Sequence, residues 1–163
     1  MKVLCVAEKP SIAKAVSQIL SGGRLDTNGT SIKFIKNYKF TSRFPEWGEC
    51  DVVFTSVSGH LTEADFDTQW RKWTQCQPVA LFQEARIVET IPQGSKSIHD
   101  NIVKEARQAG GLFIWTDCDR EGEHIGSEIE RAAKRGNAGI QVKRARFSNL
   151  ERGHTHFRSR SLL

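Results

Sequence analysis

The chain carries the stretch GLFIWTDCDREGE at residues 111–123. It opens with an apolar run that ends at Thr116, and such a run is typical of a strand buried on both faces. Carboxylates then recur at every second position, at Asp117, Asp119 and Glu121. Apolar residues spaced three and four apart follow as far as Gly136. We therefore predict a strand over residues 112–116, an acidic turn and an amphipathic helix.

A similar arrangement stands at the start of the chain. Residues 3–7 form another apolar run of the buried-strand type, which stops at the charged pair Glu8 and Lys9. A helix is predicted from Pro10 onward, because apolar residues then recur at helical spacing and proline favours the first helical position. The glycines at 22–23 end the pattern. Strand, charged turn and helix are thus packed into the first part of the chain.

The remaining elements are less regular. We predict a strand over residues 51–58, a helix over 97–109 and a last strand over 143–147. Residues 24–50 are rich in turn formers and are interpreted as an insertion, with Asn28 and Gly29 as a hairpin turn. Residues 63–95 have no clean period, and we predict loops with a short helix or strand there.

The alternation of strands and helices decides the expected fold class. Strands separated by helices of this length predict βαβ units with right-handed crossovers. We expect a Rossmann-like α/β fold, with a mostly parallel sheet and helices on both faces. The 163 residues, of which 38% are hydrophobic and 26% charged, suit one globular domain. They exclude an intrinsically disordered or membrane-embedded chain.

Cysteine usage and charge limit the setting and the partners. The four cysteines form no Cys-x-x-Cys pair, so we expect a reduced, intracellular protein rather than a disulfide scaffold. The start of the chain leads directly into a strand and shows no signal peptide. The net charge of +5 is concentrated in residues 131–163, which hold nine Lys or Arg and one acidic residue. Such a stretch can contact a phosphate backbone or can be a solvated face.

The charged turns after the two apolar runs are the candidate site. Ligands of an open parallel sheet collect outside the carboxyl ends of the strands, so Glu8 is expected beside Asp117, Asp119 and Glu121. Carboxylate oxygens suit a hard cation such as Mg²⁺, which is held by few protein ligands together with substrate phosphate. Lys9 would add a fixed positive charge, and the helix that follows it would offer free backbone N–H groups to an anion.

Other interpretations of the polar residues stay open. The acidic turn can be an acid-rich first helical turn, which the helix dipole favours. The spacing from Asp117 to Glu128 also nearly fits a twelve-residue calcium loop, although such a loop follows a helix and not a strand. His60, at the end of a predicted strand, can contact substrate or can be structural. His154 and His156 stand without other ligands, so zinc is not expected there.

Three segments together resemble the toprim domain of type IA DNA topoisomerases, in particular eukaryotic topoisomerase III. They are VAEKPSIAK at residues 6–14, SGHL at 58–61 and WTDCDREGE at 115–123. The resemblance extends over residues 1–152, which we expect to form the toprim domain. Residues 153–163 look like an unrelated, divergent basic tail.

The resemblance implies a role for each site residue. Glu8 assists proton transfer at the 3′ oxygen of DNA, and Lys9 stabilises the developing charge on the phosphate. Asp117 and Asp119 bind Mg²⁺, Glu121 supports the metal, and Glu8 lies close enough to share it. The expected DNA-binding residues are Lys9, His60 and Arg120.

Family members break and rejoin single DNA strands by transesterification through a tyrosine. The resemblance therefore implies a role in DNA topology, recombination and repair in the nucleus, with single-stranded DNA and a RecQ-type helicase complex as partners and no membrane partner. The only tyrosine, Tyr38, does not stand in the family's tyrosine motif, so the chain lacks that nucleophile. We expect a truncated, alternatively spliced or frameshifted product of a topoisomerase III gene. The alternatives are a stand-alone toprim enzyme of nuclease or primase type and a non-catalytic DNA-binding module.

Overall fold

A computed structural model describes residues 1–70, 72, 74, 76–146 and 158–160. The strands are β1 (Lys2–Ala7), β2 (Asp26–Gly29), β3 (Lys36–Phe44), β4 (Gly48–Ser56), β5 (Glu63–Phe66), β6 (Ile87–Thr90), β7 (Gly111–Trp115), β8 (Gln141–Arg146) and β9 (Arg158–Arg160). The helices are α1 (Pro10–Leu20), α2 (Pro78–Gln83), α3 (Gln93–Ala106) and α4 (Arg120–Gly136), with a short 3-10 turn at Thr68–Trp70. In the described part of the chain, no helix is both long and apolar enough to cross a membrane.

Within the described residues, the main sheet has seven strands in the order β2-β3-β4-β1-β7-β8-β9. The four central strands are parallel: β1 pairs with β4 and with β7, and β7 pairs with β8. The outer strands β2, β3 and β9 run antiparallel to their neighbours. A separate two-stranded sheet joins β5 to β6. The predicted α/β fold is therefore confirmed, with its parallel strands at the centre of the sheet.

Strand β1 lies at the centre and is buried on both faces. Val3, Cys5 and Ala7 pack with residues of α1, while Leu4 and Val6 pack with residues of α3 and α4. Successive side chains of a strand point to opposite faces, so one apolar run supplies both layers of core. The prediction of helices on both faces of the sheet is confirmed.

The boundaries follow the sequence most closely where the apolar pattern is strong. Helix α1 begins at Pro10 and α4 ends at Gly136, as predicted. Helix α3 begins at Gln93, before the predicted start at residue 97. The prediction missed this first turn because the turn is mostly exposed and therefore has no periodic apolar pattern. The last predicted strand corresponds to β8, and its predicted end at Phe147 lies outside the described residues.

The predicted hairpin turn at Asn28 and Gly29 is wrong. Both residues belong to β2 and pair with Asn37 and Lys36 of β3. The connection instead runs over residues 30–35, where the single Thr30 hydroxyl proton is shared between the carbonyls of Ile32 and Ile35. Ile35 is 1% exposed, so its burial anchors this turn in the core. Strands β2 and β3 extend the sheet beyond β4 in antiparallel pairing, and the interpretation of residues 24–50 as an insertion stays a prediction.

Candidate metal and nucleic-acid site

The carboxyl ends of β1 and β7 meet at one edge of the sheet. Ala7 is paired with Trp115 in the parallel ladder, and the Glu8 N–H continues it by donating to the Trp115 carbonyl at 3.0 Å. The Asp117 N–H donates to Glu8 Oε2 at 3.1 Å. Strand pairing therefore brings together two charged turns that are 109 residues apart in sequence.

Glu8, Lys9 and Asp117 form one contact group. Glu8 is 5% exposed, and its Oε1 lies 3.1 Å from Lys9 Nζ. The same ammonium lies 3.6 Å from Asp117 Oδ2. Hydrogen bonding and charge from Glu8, followed by the charge of Asp117, raise the pKa of Lys9 above its ordinary value of 10.5. Lys9 is thus a cation at neutral pH, placed between two carboxylates and open to solvent.

Asp119 and Gly122 shape the start of α4. Asp119 is the N-cap residue, and its Oδ1 accepts the Gly122 N–H at 2.7 Å. A Cβ at Gly122 would overlap the Asp117 carbonyl, so only glycine permits this close approach. Glu121 lies in the first helical turn and is exposed, as is Arg120. The acid-rich first turn therefore exists, while Asp117 stands before the helix beside Glu8.

Arg144 of β8 supports this turn from inside the protein. It is 5% exposed, and its Nη1 donates to Thr116 Oγ1 at 2.5 Å while Nη2 donates to the Asp117 carbonyl at 2.6 Å. Longer contacts reach the Gly122 carbonyl at 3.3 Å and Glu123 Oε1 at 3.1 Å. Sequence reasoning placed Arg144 only in a basic stretch. The sequence did hold one indication that Arg144 points inward. Val142 stands two positions earlier on the same strand, so both side chains lie on one face, and Val142 packs against the core on the α4 side.

A second polar cluster joins the chain before β5 to α4. Glu128 is 2% exposed and accepts hydrogen bonds from the Leu61 N–H at 2.7 Å, the Thr62 hydroxyl at 2.9 Å and His60 Nδ1 at 3.1 Å. Burial favours a higher pKa for Glu128, but these hydrogen bonds outweigh it and lower the pKa below its ordinary value. His124 Nε2 lies 3.5 Å from the same carboxylate oxygen.

This second cluster decides the open interpretations of His60 and Glu128. The calcium-loop interpretation is wrong, because a strand precedes the acids and Glu128 binds the segment at residues 60–62. His60 contacts Glu128, and its proposed contact with DNA stays a prediction. The structure therefore joins Glu8 and Lys9 to Asp117 in one group, keeps Asp119 at the helix cap, and places His60 in a different group. His154 and His156 lie outside the described residues.

Comparison with known proteins identifies the family of this chain. Residues 3–150 match the Toprim domain family, and the chain belongs to it. It is similar to DNA topoisomerase 3 of Schizosaccharomyces pombe, with 52% identity over 155 residues that make up 94% of this chain and 25% of that protein. It is 53% identical over 161 residues to DNA topoisomerase 3 of Saccharomyces cerevisiae, covering 94% of this chain and 24% of the relative. Human DNA topoisomerase 3-alpha is 46% identical over 150 residues, covering 91% and 15%. The chain thus spans a quarter or less of the length of these relatives.

Proposed function

We propose that this chain is the toprim part of a type IA DNA topoisomerase III, the part that holds the divalent metal and the DNA phosphate during strand cleavage and religation. The observation that carries the proposal is the contact group of Glu8, Lys9 and Asp117 at the carboxyl ends of β1 and β7. The relatives named DNA topoisomerase 3 support it. In this proposal residues 1–152 form the toprim domain, with an insertion at 24–50, and residues 153–163 form a divergent basic tail.

The metal of this site is proposed to be Mg²⁺. Toprim domains bind divalent metal. The side chains available here are carboxylates, the ligand type that Mg²⁺ prefers. The Lys9 ammonium lies between Glu8 and Asp117, so the position already accommodates a positive charge. Only one oxygen of Asp119 accepts the helix-cap hydrogen bond, which leaves the other oxygen for a metal ion. Asp117 and Asp119 would hold the ion, Glu121 would support it, and Glu8 would share it. When bound, the ion positions the DNA ends for religation.

Glu8 and Lys9 are the proposed catalytic residues. Glu8 is buried and held at one oxygen by the Asp117 N–H and at the other by Lys9, so its carboxylate has a fixed direction. It would carry the proton to or from the 3′ oxygen of DNA. Lys9 is exposed and charged, which suits stabilisation of the phosphate charge. Lys9, His60 and Arg120 are proposed to contact the DNA strand.

The nucleophile of this reaction is not proposed in this chain. Tyr38 lies in β3 and pairs with Phe54, away from the ends of β1 and β7. Burial raises its pKa, which opposes its use as an attacking oxygen. The whole protein would break and rejoin single-stranded DNA by transesterification in the nucleus, during recombination and repair. It would act with a RecQ-type helicase complex.

Calorimetry with Mg²⁺ tests the metal site directly. The double variant Asp117→Asn with Asp119→Asn should stay folded and lose Mg²⁺ binding, because two carboxylate ligands become neutral amides. The matched control is Asp26→Asn with Asp51→Asn, since both acids are exposed and Asp51 pairs with Lys2 at the opposite end of β1. Unchanged Mg²⁺ affinity in the first double variant would refute the site.

DNA assays and the mass of the native product separate the possible functions. An antibody against residues 1–150 should detect a product several times larger than 18.4 kDa, with relaxation activity that the Asp117→Asn and Asp119→Asn changes abolish. Metal-dependent nicking by the 163-residue chain without a covalent adduct would instead favour a nuclease. Salt-sensitive DNA binding with the same affinity in the Asp117→Asn and Asp119→Asn variant would favour a non-catalytic DNA-binding module.

A further inference from the structure

The cluster of His60, His124 and Glu128 has the composition of a transition-metal site. Two imidazoles and one carboxylate each offer a ligand atom, and these atoms all lie within 4.8 Å of one another. Imidazole nitrogen is a preferred ligand of Zn²⁺ and its neighbours in the first transition row, whereas Mg²⁺ prefers oxygen ligands alone. The cluster therefore differs in chemistry from the carboxylate group at Asp117.

The two distances from Glu128 to the imidazoles fit tetrahedral coordination. Bond lengths of about 2.0–2.1 Å from Zn²⁺ to nitrogen or oxygen place neighbouring tetrahedral ligands about 3.3 Å apart. Glu128 Oε1 lies 3.1 Å from His60 Nδ1 and 3.5 Å from His124 Nε2. A metal ion would replace the hydrogen bond between His60 and Glu128, with the His60 proton carried on Nε2 instead of Nδ1. The ligand nitrogens of His60 and His124 lie within 4.8 Å of each other. Tetrahedral binding therefore requires the two rings to turn until this third distance is about 3.3 Å.

The carboxylate of the cluster is already oriented for a metal. The Leu61 N–H holds Glu128 Oε2 at 2.7 Å, which leaves Oε1 facing both imidazoles. The Thr62 hydroxyl donates to Oε1 at 2.9 Å and can keep this bond when that oxygen binds a cation. Hydrogen bonds of this kind fix ligand direction and are a regular feature of protein metal sites.

An ion can reach the cluster from solvent. The side chains of His60 and His124 are 39% and 57% exposed, while Glu128 closes the inner side with 1% exposure. Three protein ligands leave a fourth position to water, which is the arrangement of an open zinc site.

We propose that His60, His124 and Glu128 form a second metal site, which binds a Zn²⁺-class cation and is separate from the carboxylate site at Asp117. The bound ion joins the segment before β5 to α4, the helix whose first turn carries Glu121. It thereby fixes that segment against the helix without using any ligand of the Mg²⁺ site.

Zinc titration of the complete chain tests the proposal. Calorimetry should find this Zn²⁺ site, and Co²⁺ at the same site should give the visible absorption of a tetrahedral ion without a sulfur-to-cobalt band. His60→Ala and His124→Ala should each weaken Zn²⁺ binding at least tenfold, because loss of even an indirect partner of a metal ligand costs about 10- to 100-fold. Both rings are partly exposed, so circular dichroism of these variants without metal should match the parent chain.

Four controls exclude other ligands. His99→Gln changes a histidine that lies on α3, and Asp117→Asn with Asp119→Asn changes the carboxylate site. Cys118→Ser removes an exposed thiol, and His154→Ala with His156→Ala removes the His-x-His pair of the tail. All four should keep the Zn²⁺ affinity within twofold. The proposal is overturned if the parent chain binds no Zn²⁺, if both His60→Ala and His124→Ala keep full affinity, or if the thiol or tail variant abolishes binding.

Discussion

Replacement of Arg144 by methionine should lower the free energy of unfolding more than a surface substitution of similar size. The guanidinium makes two short charge-assisted hydrogen bonds, at 2.5 Å to Thr116 Oγ1 and at 2.6 Å to the Asp117 carbonyl. Such bonds contribute about 1.5–3 kcal/mol each, so Arg144→Met should lower the free energy of unfolding by about 3–6 kcal/mol. The contact with Glu123 adds little, because that side chain is 56% exposed.

Urea denaturation measures this loss, and two further variants make the result specific. Arg144→Lys keeps the charge but not the forked geometry that serves two oxygens, so it should recover only part of the stability. Lys134→Met removes a cation whose side chain is 49% exposed from a surface ion pair with Glu130, and it should change stability by less than about 1 kcal/mol. The reasoning is refuted if Arg144→Met costs no more than Lys134→Met, or if Arg144→Lys is as stable as the parent chain.

Three further predictions concern the turn before α4 and the buried glutamate. Gly122→Ala should lose about 1–3 kcal/mol of stability in urea denaturation, because its Cβ would overlap the Asp117 carbonyl. The control is Gly94→Ala, whose Cβ would meet no atom within 4 Å, so this variant should not be destabilised. Asp119→Ala should lose about 1 kcal/mol with the helix cap, while Asp119→Asn keeps an oxygen for the Gly122 N–H and should lose less in the same assay. The pKa of Glu128 in the folded protein lies below its ordinary value of 4.5, so its stabilising effect is complete above that pH and disappears as the pH falls through the folded-state pKa. In a pH series, the stability difference between the parent chain and Glu128→Gln should therefore shrink below about pH 4.5.

Each of these predictions has a contrary result. Equal free energies of unfolding for Gly122→Ala and Gly94→Ala would mean that the turn shifts to accommodate a side chain. Equal stability of the two Asp119 variants would mean that the cap contributes nothing. A stability difference for Glu128→Gln that stays constant between pH 6 and pH 3 would mean that Glu128 does not ionise differently in the folded chain.

The sheet centre and its two flanking helices were predictable because their signals are local. The run at residues 3–7 and the run at 112–116 are continuous and apolar, and each leads directly into a charged turn and a helix with apolar spacing. The rule that parallel strands collect ligands at their carboxyl ends then predicted Glu8 beside Asp117, which the structure confirms. The turn at Asn28 and Gly29 was mispredicted because a favourable dipeptide is weaker than the burial of Ile35.

Sequence pattern alone determined the strand, charged turn and helix units, and with them the candidate metal ligands, because each unit is contiguous and its periodicity reports its own burial. Only the tertiary structure decided that Arg144 supports the acidic turn and that His60 joins Glu128 and His124. These contacts join side chains that are 28 and 68 residues apart, or that face each other across a helix turn. The contact of His124 with Glu128 follows from their i,i+4 spacing on α4, which the sequence records. The other contacts depend on which faces of β8, of α4 and of the segment before β5 meet in the folded core, and no local pattern records that choice.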